Sequence, residues 1–303
     1  MRPRTLAADP GTDPQRNGPD HTANLRAAGL TALAVSLFAV SDAVVKLLAT
    51  TYPPGQILFC RGVLACAFLA GLVRMRGQGG GRLHLDDRAI WLRSLFEFAA
   101  SWCYFHALQQ LPLAEATAVL FVFPLLLTAL AVIVLRERVG LLRWAAIAAG
   151  LAGVVIILRP GAAAFDVHAT WALAAAGFIA MRDLATRFVR PLAGTESVAL
   201  ISMGFSTLVS LATAPFGWVL PSTPGLLGFV ASAALISVGF VAIVAGTRIG
   251  DISFTAPFRY VMVPISFALG YAIWGQLPDR FVLVGTVIVV LAGLLVLHPR
   301  AVR

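Results

Sequence analysis

The chain alternates long apolar runs with short polar breaks, ten times over. The runs cover residues 27–50, 55–74, 88–109, 113–135, 141–158, 168–188, 196–215, 224–246, 252–274 and 281–298. Each is long enough to cross a hydrocarbon core of about 30 Å as a helix. The breaks hold the turn formers: Pro53 and Pro54, Gly77 with Gly79, Gly80 and Gly81, Pro112, Pro160 with Gly161, Pro191, and Pro221 with Pro224. The pattern predicts an all-α integral membrane protein of ten transmembrane helices.

Composition agrees with that reading. Residues are 59% hydrophobic and 12% charged, where a soluble domain carries about 25% charged. The net charge of +9 would suggest nucleic acid in a soluble protein. Here the basic residues sort by side. Counted alternately from a cytoplasmic N-terminus, eighteen arginines fall on the inner side and two, Arg159 and Arg280, on the outer. This positive-inside bias puts both termini in the cytoplasm. Residues 1–24 are polar, without an apolar core or a cleavage site, and read as a disordered cytoplasmic tail, not a signal peptide. Cys60, Cys66 and Cys103 lie in apolar runs with no CxxC pair, which argues against a disulfide framework and against structural zinc. The glycine-rich stretch 76–82 lacks the Lys-Ser/Thr of a phosphate-binding loop. His84, Asp86, Asp87 and Arg88 match no metal or transferase spacing and read as a solvated cluster at the inner surface.

The chain also reads as two copies of one unit. Pro124, midway along the fourth run, is answered by Pro264 in the ninth, 140 residues later. Leu151-Ala152-Gly153 recurs at the same offset as Leu291-Ala292-Gly293, and Leu158-Arg159-Pro160 is answered by Leu297-His298-Pro299. Five helices per copy is an odd number, so the second copy must enter the membrane inverted. The expected organisation is a tail (1–24), a first five-helix repeat (25–161) and an inverted second repeat (162–299). Inverted repeats are an architecture of secondary transporters, with a site near mid-bilayer where the halves meet.

Charges inside the bilayer cost several kcal/mol unless paired or wetted, so they mark candidate sites. Asp42 and Lys46, four apart on the first helix, form either a self-neutralised pair or part of a gate. Arg61 is expected to snorkel toward the outer interface. Glu97 is an amine counter-ion or proton carrier, or a local ion pair with Arg93. Arg182 and Asp183 lie near the inner interface. On the third helix Phe98, Trp102 and His106, with Phe105 nearby, share helical spacing. They line a cavity for flat substrates, or they pack toward lipid with Tyr104 and a structural His106 in an interfacial belt. Arg259 and Tyr260 sit between Pro257 and Pro264. There freed carbonyls mark a cavity-lining kink, and a cation would grip a carboxylate or pair with Asp251 or Glu97. Phe178 of the sixth helix completes a substrate-binding set of Glu97, Trp102, His106, Phe178, Arg259 and Tyr260. Asp42, Lys46, Pro124, Pro257 and Pro264 form the gating and hinge set. Ala146, Gly150, Ala149 and Gly153, with Gly285 and Gly293, suit close helix contacts.

These features resemble the drug/metabolite transporter superfamily, in its EamA-type ten-helix form. The resemblance rests on Ala107-Leu108, Pro112-Leu113-Ala114 through Thr117-Ala118, Pro124, Leu135 with Glu137, Arg143-Trp144, and Gly150 through Arg159-Pro160. In the second half it rests on Ala245, Pro264, Gly275-Gln276 and Gly285 through Gly293. Lys46, Pro54 and Arg61 also stand where the family tends to carry Lys, Pro and Arg. Gln276 departs from the pattern, which favours Glu there as at Glu137.

The resemblance implies a central cavity and alternating access, with amino-acid export of the YddG-like kind as the expected activity. Threonine/homoserine exporters are further candidate relatives, and importers of S-adenosylmethionine or riboflavin share the same motifs. A membrane-embedded transferase would need an interfacial catalytic cluster, and a scaffold or sensor would need neither the second copy nor the intramembrane charges. The expected protein is therefore not an enzyme and has no catalytic residues, cofactor or metal. Its expected partners are a small-molecule substrate and the lipid bilayer, not nucleic acid, and it works as a monomer or homodimer in the bacterial inner membrane.

Overall fold

The computed structural model describes residues 21–75, 86–136, 140–159, 167–190, 195–249 and 252–297. Residues 1–20 of the expected tail, the glycine-rich stretch 76–82, His84, Glu137 and Asp251 lie outside them. The described residues form an all-helical bundle. Its helices are α1 (His21–Leu48), α2 (Pro54–Met75), α3 (Arg88–Gln110), α4 (Leu113–Leu120), α5 (Phe123–Leu135), α6 (Leu141–Leu158), α7 (Ala169–Thr186), α8 (Thr195–Leu211), α9 (Thr223–Ile249), α10 (Ile252–Thr255), α11 (Met262–Trp274) and α12 (Arg280–Leu297). Helix α1 starts at His21, so residues 21–24 are helical and not tail.

These helices fall into ten segments, one for each apolar run. Two segments are broken, and prolines account for both breaks. The fourth run parts at Phe121 and Val122, just before Pro124 in the first turn of α5. The ninth is α10, a 3-10 stretch (Ala256–Val261) and α11, with Pro257 at the start of the 3-10 stretch and Pro264 in the first turn of α11. Proline lacks an N–H and its ring clashes with the carbonyl four residues back, so an α-helix cannot run through unchanged.

Six described helices or broken pairs are apolar and long enough to cross a bilayer. Most of α8, and α12, are shorter apolar helices. Helices α3 and α7 stand outside this group; they carry Arg93, Glu97, Arg182 and Asp183. Their polar load makes sense only if those side chains face protein and not lipid.

Helix pairing follows a regular scheme. α1 lies along α9, α3 along α7, α6 along α12, and α2 along α8. The broken fourth segment touches α7 and α11, and the broken ninth touches α1. Glycine allows the α6–α12 crossing. A Cβ on Gly153 would stand 2.9 Å from the carbonyl oxygen of Gly285, and one on Gly285 would meet the carbonyl of Gly153 and the Ile157 side chain. Gly150 faces Leu125 and Ala292 in the same seam. Bare backbone lets two helices approach closely, which is the main source of attraction where lipid removes the hydrophobic drive.

Polar contacts tie the loops at both ends of the bundle. At one end, Gln56 donates to the Val219 carbonyl (2.5 Å) and accepts from the Val219 N–H (3.0 Å), and Tyr52 accepts from the Ser222 N–H (3.1 Å). There too Arg159 pairs with Asp279 at 2.6 Å and lies over the Phe281 ring. That guanidinium holds the exposed Asp279 carboxyl below the usual carboxylate range. At the other end, Asp87 caps α3 through the Ala89 N–H and also accepts from the Arg190 N–H, both at 3.0 Å. Asp86 pairs with the Arg190 guanidinium at 2.6 Å. The cluster expected near residues 84–88 thus includes a helix cap and a loop clamp.

Candidate functional site

Two polar groups sit inside the bundle, and both are built from helices distant in sequence. The first is ionic. Glu97 of α3 accepts from Arg182 of α7 at 3.1 Å, and Arg93 lies 3.7 Å away, one turn along α3. Arg182 also pairs with Asp183 at 2.8 Å. Arg93 donates to Thr186 (3.1 Å) and Ser202 (2.5 Å), and Ser202 meets Ser94 at 2.9 Å. The local Arg93–Glu97 pair expected from spacing is present, but Arg182 is the nearer partner.

Two more guanidiniums approach this cluster without touching it. Arg61 of α2 lies within electrostatic reach of Glu97 and Asp42, with its guanidinium over the Phe105 ring at 5.1 Å. Its Nη1 is buried without a hydrogen-bond partner among the described residues. Arg61 therefore points inward and does not snorkel. The cation–π contact and the interior carboxylates hold it there. Arg259, on the 3-10 stretch, lies within electrostatic reach of Asp183 and Arg182, and among the described residues makes no hydrogen bond or ion pair. Asp251, one partner considered for it, is not described.

The second group is a chain of hydroxyls. Tyr104 of α3 donates to Asp42 of α1 at 3.1 Å, meets Thr117 of α4 at 3.4 Å, and Thr117 donates to Ser266 of α11 at 3.2 Å. Tyr104 is thus buried between helices and is no interfacial belt residue.

The expected Asp42–Lys46 pair is not formed. Lys46 instead donates to the carbonyls of Leu108 (2.7 Å) and Leu111 (2.5 Å), with the Trp274 ring 5.7 Å away. Those carbonyls end α3, where backbone acceptors lack helical partners and the dipole is negative. Two charge-assisted bonds outcompete one carboxylate a turn away. Lys46→Met should lower stability by about 2 kcal/mol, read as a lower melting temperature in detergent.

The aromatic candidates form two groups. Phe98, Trp102 and His106 stack in sequence along α3, at 5.8 and 4.9 Å, and Trp171 of α7 covers His106 at 5.2 Å. His106 Nδ1 lies 2.9 Å from the Trp102 carbonyl oxygen. Phe178 stacks on Phe96 instead, at 6.4 Å. Tyr260 packs on Phe121, at the break of the fourth segment, at 5.2 Å, and its hydroxyl presses against Gly293 of α12. The two broken segments therefore meet through Phe121–Tyr260 and through Thr117–Ser266. Sequence reasoning missed Tyr104, Thr117 and Ser266. Hydroxyls in apolar helices are common, and nothing local distinguishes these three.

A bundle of apolar helices around a partly accessible ionic cluster is the architecture of a polytopic membrane protein. Residues 25–159 match the EamA-like transporter family. The chain is 27% identical over 259 residues to the S-adenosylmethionine uptake transporter of Rickettsia prowazekii (strain Madrid E), covering 86% of this chain and 88% of that one. It is 24% identical over 265 residues to the pseudopaline exporter CntI of Pseudomonas aeruginosa (strain UCBPP-PA14), covering 87% and 93%. A solved crystal structure shares the fold, with a TM-score of 0.62 at 22% identity over 90% of this chain and 96% of that one. The curated relatives it resembles over most of its length are transporters.

Proposed function

We propose that this transporter exports a small carboxylate-bearing metabolite, an amino acid, across a bacterial inner membrane by alternating access. The observation that carries the reading is Arg259. It is a guanidinium inside the bundle, beside Asp183 and Arg182, that touches neither. An intramembrane charge without a contact partner is costly; Arg259 has none among the described residues, and a substrate carboxylate would satisfy it with a bidentate pair. Arg61, with a buried unpartnered Nη1, is the second candidate donor. Glu97 is already held by Arg182 and Arg93. A substrate ammonium would have to displace one of them, so we assign Glu97 to positioning Arg182.

The transport cycle rests on two inverted repeats, residues 25–161 and 162–299, with both termini cytoplasmic. The packing scheme supports this organisation. Exchanging each segment with the one five later turns the first–eighth pairing into the sixth–third, and the fourth–sixth into the ninth–first; all four pairings occur. The second–seventh and fifth–tenth pairings map onto themselves. The breaks near Pro124, Pro257 and Pro264 then act as matched hinges. The arginine asymmetry supports the orientation.

A second reading, import of S-adenosylmethionine, is favoured by the Rickettsia relative. Both readings are tested by counterflow into proteoliposomes of radiolabelled L-phenylalanine, L-threonine and S-adenosylmethionine. Exchange of an amino acid is expected. Arg259→Ala should cut it about tenfold or more, as the loss of hydrogen bonds to a charged group costs about 1.5–3 kcal/mol. Unchanged amino-acid flux in both Arg259→Ala and Glu97→Gln refutes the assignment of the site. Exchange of S-adenosylmethionine alone selects the second reading.

A further inference from the structure

Three contacts join Asp42 on α1 to Ser266 on α11, through Tyr104 and Thr117, at 3.1, 3.4 and 3.2 Å. All four residues are buried. The contacts are longer than well-made hydroxyl bonds, which cluster near 2.7–2.8 Å. Proton counting accounts for the longest of them, the middle contact at 3.4 Å. A hydroxyl has one proton to donate and an ionised carboxylate has none. Thr117 is the donor to Ser266. With Asp42 ionised, Tyr104 donates to Asp42, and the middle contact is left with two oxygens and no proton. With Asp42 protonated, the carboxylic acid donates to Tyr104, Tyr104 to Thr117, and Thr117 to Ser266. Three contacts then hold three protons, all oriented one way, and aligned donors in a dry interior strengthen one another.

We propose that Asp42 is a proton-binding site, and that its proton completes a hydrogen-bonded relay across the first, third, fourth and ninth segments. The relay ends beside the two breaks. Thr117 is one turn before Phe121, and Ser266 is one turn beyond Met262. Loading the site therefore draws together the two segments that carry the hinge prolines.

The surroundings favour a proton over a metal cation. Arg61 of α2 and Tyr104 of α3 are the charged and titratable groups that act on the Asp42 carboxyl. Lys46, on the same helix, is turned to the α3 carbonyls. The elements of the ninth segment and α9, which also pack on α1, place no further charged partner on the carboxyl among the described residues. A metal ion would face the Arg61 charge with one carboxylate and three neutral hydroxyls. A proton needs only the lone pair that Tyr104 now shares.

The proton site stands on its own geometry; its coupling to transport rests on the transporter reading. The test is infrared spectroscopy of the purified full-length protein in lipid nanodiscs, titrated with protons alone. A carboxylic-acid C=O band should appear as pH falls, vanish in Asp42→Asn, and shift in Tyr104→Phe, which removes its partner. In proteoliposomes that exchange L-phenylalanine, the rate should change with pH across that titration in the wild type and stay flat in Asp42→Asn. Absence of an Asp42-dependent band wherever the wild type stays folded overturns the proposal. So does a band that Tyr104→Phe leaves unmoved, or a wild-type rate indifferent to pH while the band titrates. Should none of the amino acids exchange, the infrared titration still decides the proton site, and the failure belongs to the amino-acid reading.

Discussion

Glu97→Gln should be among the most damaging single substitutions in this protein. The change removes the shared carboxylate from two arginines, Arg182 at 3.1 Å and Arg93 at 3.7 Å; Arg182 keeps Asp183, and Arg93 is left in the bundle interior without that ion pair. Breaking an interior ion pair by removing one partner costs about 3–5 kcal/mol, mostly from the stranded charge. Glu97 is partly accessible, with 28% of its side chain exposed, so the low end of that range applies. Against a total stability of about 5–15 kcal/mol, the variant should express poorly and melt well below the wild type. The diagnostic is the double variant Glu97→Gln with Arg93→Gln, because Arg182 keeps its pair with Asp183 while Arg93 loses its ion pair to Glu97. It should recover part of the loss, because it takes away the stranded cation as well. A double-mutant cycle on thermal stability measures the coupling. Simple additivity of the two losses would mean that the ion pair is not a unit.

The second large effect is expected at a position with no polar chemistry. Gly153→Leu puts a branched side chain where a single Cβ already comes within 2.9 Å of the Gly285 carbonyl oxygen. Backbone cannot rotate away as a side chain can, so α6 and α12 must separate. Overpacking of a tight core costs about 1–3 kcal/mol, and the cost here adds to the loss of the whole seam, including Gly150 against Leu125 and Ala292. Size-exclusion profiles and melting in detergent should show a strongly destabilised protein. Gly29→Ala offers the control, because a Cβ there meets nothing within 4 Å. Equal behaviour of the two variants would remove the close crossing as a structural requirement.

Some of the site is legible in the sequence, and the division has a physical cause. Periodicity and length report local facts, and those were read correctly: ten apolar runs became ten helical segments, with prolines at both breaks. The Arg93–Glu97 pair was also within reach, because i and i+4 lie on one helix face. The same rule misled at Asp42 and Lys46. Spacing brings two Cβ atoms near each other, but it does not say which other acceptors compete. Lys46 found the end of α3, 62 residues away, and Asp42 found Tyr104 at the same separation. Arg61 was expected at an interface because its depth along α2 was visible, while its rotational position toward Phe105 was not.

The sequence by itself determined the class of solvent, the number of helices, where they break, and which residue types are too polar for lipid. These follow from hydropathy, proline chemistry and the cost of burying charge, all of which act within a few turns of chain. Tertiary structure alone decided the pairings: Glu97 with Arg182 across 85 residues, Thr117 with Ser266 across 149, and the Arg259 guanidinium without a hydrogen bond or ion pair among the described residues. Each depends on which faces of distant helices are turned toward one another. That is set by packing of the whole bundle at once, through small residues such as Gly153 and Gly285, and no short window of the chain contains it.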